Sequence, residues 1–153
     1  MVEDAAIAPA EHWEILGTKL KTVFSNNIRN NFGFLNRGAP EGVGKTDKLF
    51  VQEGRKVFKE VVPMAAAHIE QHLAALGFEP TQVRRYWLHQ ANLGMNQLVM
   101  RKLVGAEVGD DLAPLILDEY ANTASAGSVI AFHKHRDGLK AGDHAVLCSF
   151  GGG

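Results

Sequence analysis

The chain has 153 residues, 46% of them hydrophobic, and carries 16 basic and 17 acidic side chains. This length allows one domain with a real core, and the balanced charge gives no reason to expect a nucleic acid or an anionic membrane as partner. A single cysteine, Cys148, excludes an internal disulfide framework and fits a reducing compartment. With no basic-then-apolar leader and no long apolar run, we expect a cytoplasmic protein without a membrane span.

The first part of the chain, residues 1–47, predicts an irregular segment. Asparagine and glycine are frequent between Lys21 and Lys45, and both residue types favour turns. Phe24, Phe32 and Phe34 are scattered among them, which suggests that the segment packs on something.

Regular periodicity begins at about residue 52. Apolar residues from Val57 to Leu76 recur at helical spacing and Gly77 closes the predicted helix, with Pro63 expected to mark a kink or a first-turn restart. Further along, the pattern predicts strands at 85–88, 115–117 and 145–150, and helices at 93–104 and 125–139. Strands that alternate with helices are typical of parallel βαβ units, so the predicted fold class is α/β.

Three segments combine a short apolar run with a polar or glycine-rich turn. They are Trp87–Asn92, Tyr120–Thr123 and Ser149–Gly153. A buried strand that ends in this way delivers a side chain or a backbone N–H into a site. A histidine, an asparagine and a glycine turn can together polarise a carbonyl oxygen. Since no candidate nucleophile accompanies them, the sequence predicts half of an active site.

In their order and spacing these segments resemble the β-ketoacyl-(acyl carrier protein) synthase III family, whose members have the thiolase-like fold. The family patterns H-Q-A-N, G-N-T-S-A-A-S and A-F-G-G-G stand here as His89-Gln90-Ala91-Asn92, Ala121-Asn122-Thr123-Ala124-Ser125-Ala126-Gly127-Ser128 and Ser149-Phe150-Gly151-Gly152-Gly153. The segment Gly54-Arg55-Lys56-Val57-Phe58-Lys59 also fits, where the family often has E-V-F-K before a helix.

The resemblance implies the C-terminal half of a thiolase-like αβαβα fold, with a mixed sheet and flanking helices. Residues 48–153 would form this domain without its final strand, and residues 1–47 would be a variable insertion. It also implies a function, the decarboxylative Claisen condensation of an acyl thioester with a malonyl thioester in fatty-acid or related lipid biosynthesis.

The resemblance also implies roles for individual residues. His89 and Asn122 would donate hydrogen bonds to the malonyl thioester carbonyl, which becomes an enolate on decarboxylation. Gly152 would supply one N–H of the oxyanion hole for the acyl thioester. The family nucleophile is a cysteine in the preceding half of the fold, and Cys148 does not match it because it lies inside the last apolar strand. The chain alone is therefore expected to be inactive.

The implied partners are the cysteine-bearing N-terminal half, acyl carrier protein or coenzyme A thioesters, and a second copy in a homodimer. No metal or other cofactor is expected. Two departures from the pattern stand out: Ala121 replaces a glycine, and Gly94-Met95 stand where many members place an arginine that docks the carrier protein. Arg101 and Lys102 on the same predicted helix are candidates to replace that arginine, or are simply solvated.

Two other functions remain open. A non-catalytic thiolase-fold remnant would act as a partner-binding module. A P-loop nucleotide-binding protein is the less favoured alternative, in which Ala39–Thr46 would cradle phosphates and Leu115–Glu119 would be a strand ending in magnesium ligands. Both histidine pairs are expected at the surface. His68 and His72 have no third metal ligand, and His133 and His135 are two residues apart on a predicted helix, so they point in different directions.

Overall fold

The computed structural model describes residues 4, 6–9, 12–30, 40–42 and 50–151. We number the strands β1 to β4 and the α-helices α1 to α4 along the chain. The elements are β1 (Ile28–Asn30), a 3-10 turn (Pro40–Gly42), β2 (Phe50–Gln52), α1 (Gly54–Ala75), a second 3-10 turn (Pro80–Gln82), β3 (Val83–Leu88), α2 (Leu93–Val104), α3 (Leu117–Tyr120), α4 (Ala126–Lys134) and β4 (His144–Cys148).

The centre of the structure is a parallel pair of strands, β3 and β4, packed between helices. Val83 lies opposite His144 and Leu88 opposite Cys148. Side chains alternate across β3, so Tyr86 and Leu88 join the core formed with α1 and α2, while Trp87 packs on the other face with α4. Helices on both faces of a parallel pair form part of an α/β/α arrangement, which confirms the predicted α/β class.

Helix α1 runs without interruption through Pro63. Its buried stripe faces the core and consists of Val57, Val62, Ala65, Ala66, Ile69 and Leu73. The prediction of a restart at Pro63 is wrong. Both Pro63 and Lys59, whose carbonyl loses its helical partner there, are exposed, so water can replace the missing hydrogen bond. The chain leaves the helix at Gly77, which has a positive φ of 80°.

Helix α2 begins and ends where its sequence signals predict. Asn92 caps it by accepting a hydrogen bond from the Met95 N–H at 2.9 Å, and Gly105 ends it in the left-handed conformation. Helix α4 is shorter than the predicted 125–139, because it stops at Lys134, ahead of a turn in which Gly138 has a φ of 80°.

The predicted strand at 115–117 is wrong: residues 114–116 are irregular and lead into the short helix α3. Ile116 is buried, but its N–H bonds to the Gln90 side chain at 3.1 Å rather than to another strand. Pro114 has no N–H to contribute to a sheet. A buried apolar run therefore does not become a strand here, since a side chain takes the place of the strand partner.

The N-terminal segment lies against α1 and the sheet. Strand β1 pairs with β2 in antiparallel fashion, which joins residues on the two sides of the predicted boundary at residue 47. The carbonyl oxygen of Lys19 lies 3.1 Å from His68 Nε2, and the Asn27 amide donates to Glu60 at 2.6 Å. Trp13 packs edge-on against Trp87, with ring centroids 5.7 Å apart. The division into two domains remains a prediction.

Candidate active site

His89 lies directly after β3 and is 6% exposed. Its Nδ1 is 3.2 Å from Ser149 Oγ, and its ring packs on Phe150 with centroids 4.4 Å apart. Ser149 and Phe150 directly follow β4, so the carboxyl ends of two parallel strands meet at this histidine. Such an edge is where α/β sheets commonly place ligand sites.

Burial lowers the pKa of His89, because the charged imidazolium is poorly solvated there. The ring is therefore kept neutral near pH 7. A neutral imidazole has one N–H donor, and the nitrogen that carries it depends on the partner of the other nitrogen.

Asn122 lies in the loop between α3 and α4 and is exposed. Its Oδ1 accepts a hydrogen bond from the Ala124 N–H at 3.0 Å, which leaves the side-chain NH₂ free to donate. Our expectation that Asn122 follows a strand is wrong, because the four-residue helix α3 precedes the loop.

The backbone before Asn122 has a conformation that glycine normally adopts. Ala121 has φ 52° and ψ −154°, and Ala124 also has a positive φ, of 54°. A Cβ makes such conformations costly, typically by about 1–3 kcal/mol. The family that this sequence resembles has a glycine at the position of Ala121. The positive φ found here is a conformation that glycine adopts without strain and alanine does not.

The His89 strand end and the Asn122 loop are linked by packing. Gln90 follows His89, and an added Cβ on Gly127 would lie 2.9 Å from Gln90 Cβ and 3.3 Å from Thr123 Oγ1. Thr123 is the neighbour of Asn122. The two donors therefore lie on segments that meet at Gly127, and the hypothesis that both reach one oxygen stays a prediction.

The structure does not test the roles predicted for Gly152, Arg101 and Lys102. Gly152 lies outside the described residues, so its oxyanion role stays a prediction. Arg101 and Lys102 are exposed on the last turn of α2, and Arg101 forms an ion pair with Glu107. Their role in carrier docking also stays a prediction.

Cys148 has the environment of a core thiol. It lies in β4 opposite Leu88 and packs against the α1–α2 side of the core. Burial raises its pKa to about 11, so the reactive thiolate is scarce near neutral pH.

The described residues support neither a metal site nor a P-loop nucleotide site. No group of three or more His, Cys, Asp or Glu side chains within them could hold a metal ion. For the P-loop alternative, Ala39 and residues 43–46 of the predicted phosphate loop lie outside the described residues. The strand that this alternative requires at Leu115–Glu119 does not form, because helix α3 begins at Leu117. Within the same described ranges, no helix has both the length and the apolarity needed to cross a membrane.

Comparison with known proteins identifies relatives of this chain. The family model for the C-terminal part of 3-oxoacyl-(acyl-carrier-protein (ACP)) synthase III matches residues 73–153. A beta-ketodecanoyl-(acyl-carrier-protein) synthase of Pseudomonas aeruginosa is 60% identical over 100% of this chain and 44% of its own length. A beta-ketoacyl-(acyl-carrier-protein) synthase III of Gloeobacter violaceus is 37% identical over 65% of this chain and 30% of its own.

Solved structures agree on the fold. The 3-oxoacyl-(acyl-carrier-protein) synthase III of Aquifex aeolicus aligns with a TM-score of 0.59 and 25% identity, over 66% of this chain and 32% of that one. The Thermus thermophilus synthase III aligns with a TM-score of 0.62 and 22% identity, over 78% and 36%. The chain thus spans less than half the length of these relatives. It belongs to the 3-oxoacyl-(acyl-carrier-protein) synthase III family and matches the C-terminal part of its members.

Proposed function

We propose that this chain supplies the malonyl-binding half of the active site of a β-ketoacyl-(acyl carrier protein) synthase III. The enzyme would be an acyltransferase of fatty-acid or related lipid biosynthesis in the cytoplasm. The observation that carries the proposal is the setting of His89, a buried histidine kept neutral at the joint end of two parallel strands. Family membership supports the same function.

In this proposal His89 and Asn122 are hydrogen-bond donors rather than bases. His89 Nδ1 lies 3.2 Å from Ser149 Oγ. In this contact we assign the donor role to the Ser149 hydroxyl and the imidazole proton to Nε2, where it can point to the substrate. The Asn122 oxygen is held by the Ala124 N–H, so its NH₂ group is the end presented to the substrate. Neither group needs to change its protonation state during the reaction.

The donors act where negative charge develops. The bond between the malonyl thioester and its carboxylate breaks, CO₂ leaves, and the electron pair forms an enolate whose oxygen accepts the two hydrogen bonds. The enolate carbon then attacks the acyl-cysteine carbonyl. A carbon–carbon bond forms, the carbon–sulfur bond breaks, and the cysteine thiolate is released. Donors that bind the enolate oxygen more strongly than the thioester carbonyl oxygen lower the barrier to decarboxylation.

Other parts of the site complete the proposal. The nucleophilic cysteine belongs to an N-terminal half, since Cys148 is a half-buried thiol whose pKa is raised to about 11 by burial. Gly152 contributes an N–H to the acyl oxyanion hole, and Arg101 and Lys102 contact the carrier protein. The complete enzyme is a homodimer, takes its substrates as acyl carrier protein or coenzyme A thioesters, and uses no metal or other cofactor.

The Pseudomonas relative suggests the acyl-chain length. It is named for a ketodecanoyl product, and its identity of 60% extends over the whole of this chain. Decarboxylative condensation lengthens an acyl chain by two carbons, so an octanoyl thioester is the acceptor that gives this product. We therefore infer a preference for octanoyl over acetyl thioesters, which product analysis with equal concentrations of the two would test.

The function can be tested by comparing the chain alone with the chain joined to a cysteine-bearing half. Incubated with octanoyl-coenzyme A, the isolated chain should show no acyl adduct by intact mass, whereas the joined protein should acylate its cysteine and form the ketoacyl product with malonyl thioester. A stable adduct on Cys148 would overturn the half-site assignment. Thioester binding without condensation by the joined protein would instead support a non-catalytic binding module.

A further inference from the structure

Gln90 is fully buried, and its polar atoms are used by the backbone of neighbouring segments. Its Nε2 donates to the Leu88 carbonyl at 2.9 Å and to the Pro114 carbonyl at 3.3 Å. Its Oε1 accepts from the Ile116 N–H at 3.1 Å. Both amide hydrogens are occupied, so this side chain acts on the protein rather than on a substrate.

These hydrogen bonds connect the end of β3 to the segment that leads into the Asn122 loop. Ile116 caps α3, because its carbonyl accepts from the Tyr120 N–H at 2.9 Å. The Ala121 N–H in turn bonds to the Leu117 carbonyl at 3.1 Å. Gln90 therefore holds the start of the short helix whose other end delivers Asn122.

The apolar part of Gln90 contacts the other flank of the same loop. A Cβ added to Gly127, near the start of α4, would lie 2.9 Å from Gln90 Cβ and 3.1 Å from Gln90 Cγ. Real Cβ atoms do not approach so closely, so glycine at this position is what lets α4 reach Gln90. Gln90 thus contacts the chain both before and after Asn122, while it is bonded covalently to His89.

We infer that Gln90 is a positioning residue that sets the spacing between His89 and Asn122, with Gly127 as its packing partner. The inference rests on the proposed function, because it assigns to Gln90 the alignment of the two donors proposed there. Donors that share one oxygen must be held within a fraction of an ångström, and a shift of about 1 Å can cost about 100-fold in rate.

The test uses Gln90→Met in the complete synthase that carries this chain. Methionine keeps the length of the side chain and loses its hydrogen bonds, so malonyl decarboxylation should fall by about 10- to 100-fold while acylation of the cysteine changes less than about twofold. Gln82→Met is the matched control. Gln82 also bonds a backbone N–H, that of Glu79 at 2.7 Å, but at the opposite end of β3. It should leave both half-reactions unchanged.

A second pair of variants perturbs the same contact from α4. Gly127→Ala should give the same selective loss, whereas Gly109→Ala, where a Cβ meets nothing within 4 Å, should not. In Gln90→Met the Ile116 amide should also exchange its hydrogen faster than in the parent chain. If Gly127→Ala and Gln90→Met spare decarboxylation, or slow both half-reactions equally, the positioning role is overturned.

His89→Ala and Asn122→Ala in the same assay separate this inference from the function on which it rests. When both slow decarboxylation and the Gln90 and Gly127 variants do not, only the positioning role fails. When neither His89→Ala nor Asn122→Ala slows decarboxylation, both the proposed function and the positioning role are overturned.

Discussion

The two proposed donors lie in contrasting surroundings. His89 is buried at the end of β3, between Ser149 and Phe150, and its backbone continues a strand that is hydrogen-bonded to β4. Asn122 is exposed in a loop between two helices, and its side chain is fixed by one local hydrogen bond to Ala124.

This contrast shows two ways to place a polar group. The position of His89 follows from the sheet, since strand pairing and core packing determine where β3 ends. The position of Asn122 depends on a short helix held by Gln90 and on the unusual backbone of Ala121. The first arrangement is built into the fold, whereas the second is maintained by a few specific contacts at a conformational cost.

The largest expected effect is a loss of decarboxylation rate that is the same for both donors. In the complete synthase, His89→Ala and Asn122→Ala should each slow malonyl decarboxylation by about 10²–10³-fold and leave acylation of the cysteine largely intact. Because both serve one oxygen, the double variant should lose less than the product of the two single losses. Separate assays of the two half-reactions test this. Loss of acylation with decarboxylation spared would assign the donors to the other half-reaction.

Stability should separate the donors where catalysis does not. His89→Ala empties a buried position against Phe150 and should lower the free energy of unfolding by about 2 kcal/mol. Asn122→Ala removes one exposed local hydrogen bond and should cost about 0.5 kcal/mol. Denaturant unfolding of the two variants measures both values. Equal losses would contradict the contrast drawn here.

The strain at Ala121 can be measured by relieving it. Ala121→Gly removes the Cβ from a backbone with φ 52° and ψ −154°, so the free energy of unfolding should rise by about 1 kcal/mol. Ala106→Gly, in a connection where no positive φ occurs outside glycine, is a control that should not stabilise. A destabilised Ala121→Gly would show that the loop adopts another backbone conformation.

The smallest effect concerns the ionisation of His89. Its pKa in the folded chain lies below its value in the unfolded chain, about 6.5. As the pH falls below about 6.5, the unfolded state binds a proton that the folded state resists, so the free energy of unfolding should decrease toward acid. Imidazole titration by NMR gives the folded pKa directly. An Asn122→Ala variant should keep this pH dependence, and His89→Ala should lose it. A His89 pKa at or above 6.5 would mean that the ring is better solvated than the structure shows.

Elements with local signals were predictable from the sequence. Helix α2 has an asparagine cap at Asn92 and a glycine stop at Gly105, and its bounds agree with the prediction. The end of β3 before His89 was predictable for the same reason, because an apolar run meets a polar turn there. Helix α4 ends earlier than predicted, since apolar spacing does not reveal the turn at Gly138.

Features that depend on distant contacts were not predictable. The run from Leu115 to Leu117 has the composition of a strand, yet the partner of Ile116 is the side chain of Gln90. Gln90 belongs to a motif that sequence analysis singled out, but no role could be assigned to it because its partners lie elsewhere in the chain. The backbone conformation of Ala121 was also not predictable from local patterns. Its only signal in the sequence was that alanine replaces a family glycine at this position.

The parallel pairing of β3 with β4 has a consequence for how the chain folds during synthesis. His89 meets Ser149 across a sequence separation of 60 residues, and parallel strands cannot be joined by a tight turn. Helices α1 and α2 need only local backbone hydrogen bonds to form, whereas β3 can pair with β4 only after β4 has been synthesised. The candidate site should therefore be among the last parts to assemble, and the interval before that is when the nascent chain is most exposed to aggregation.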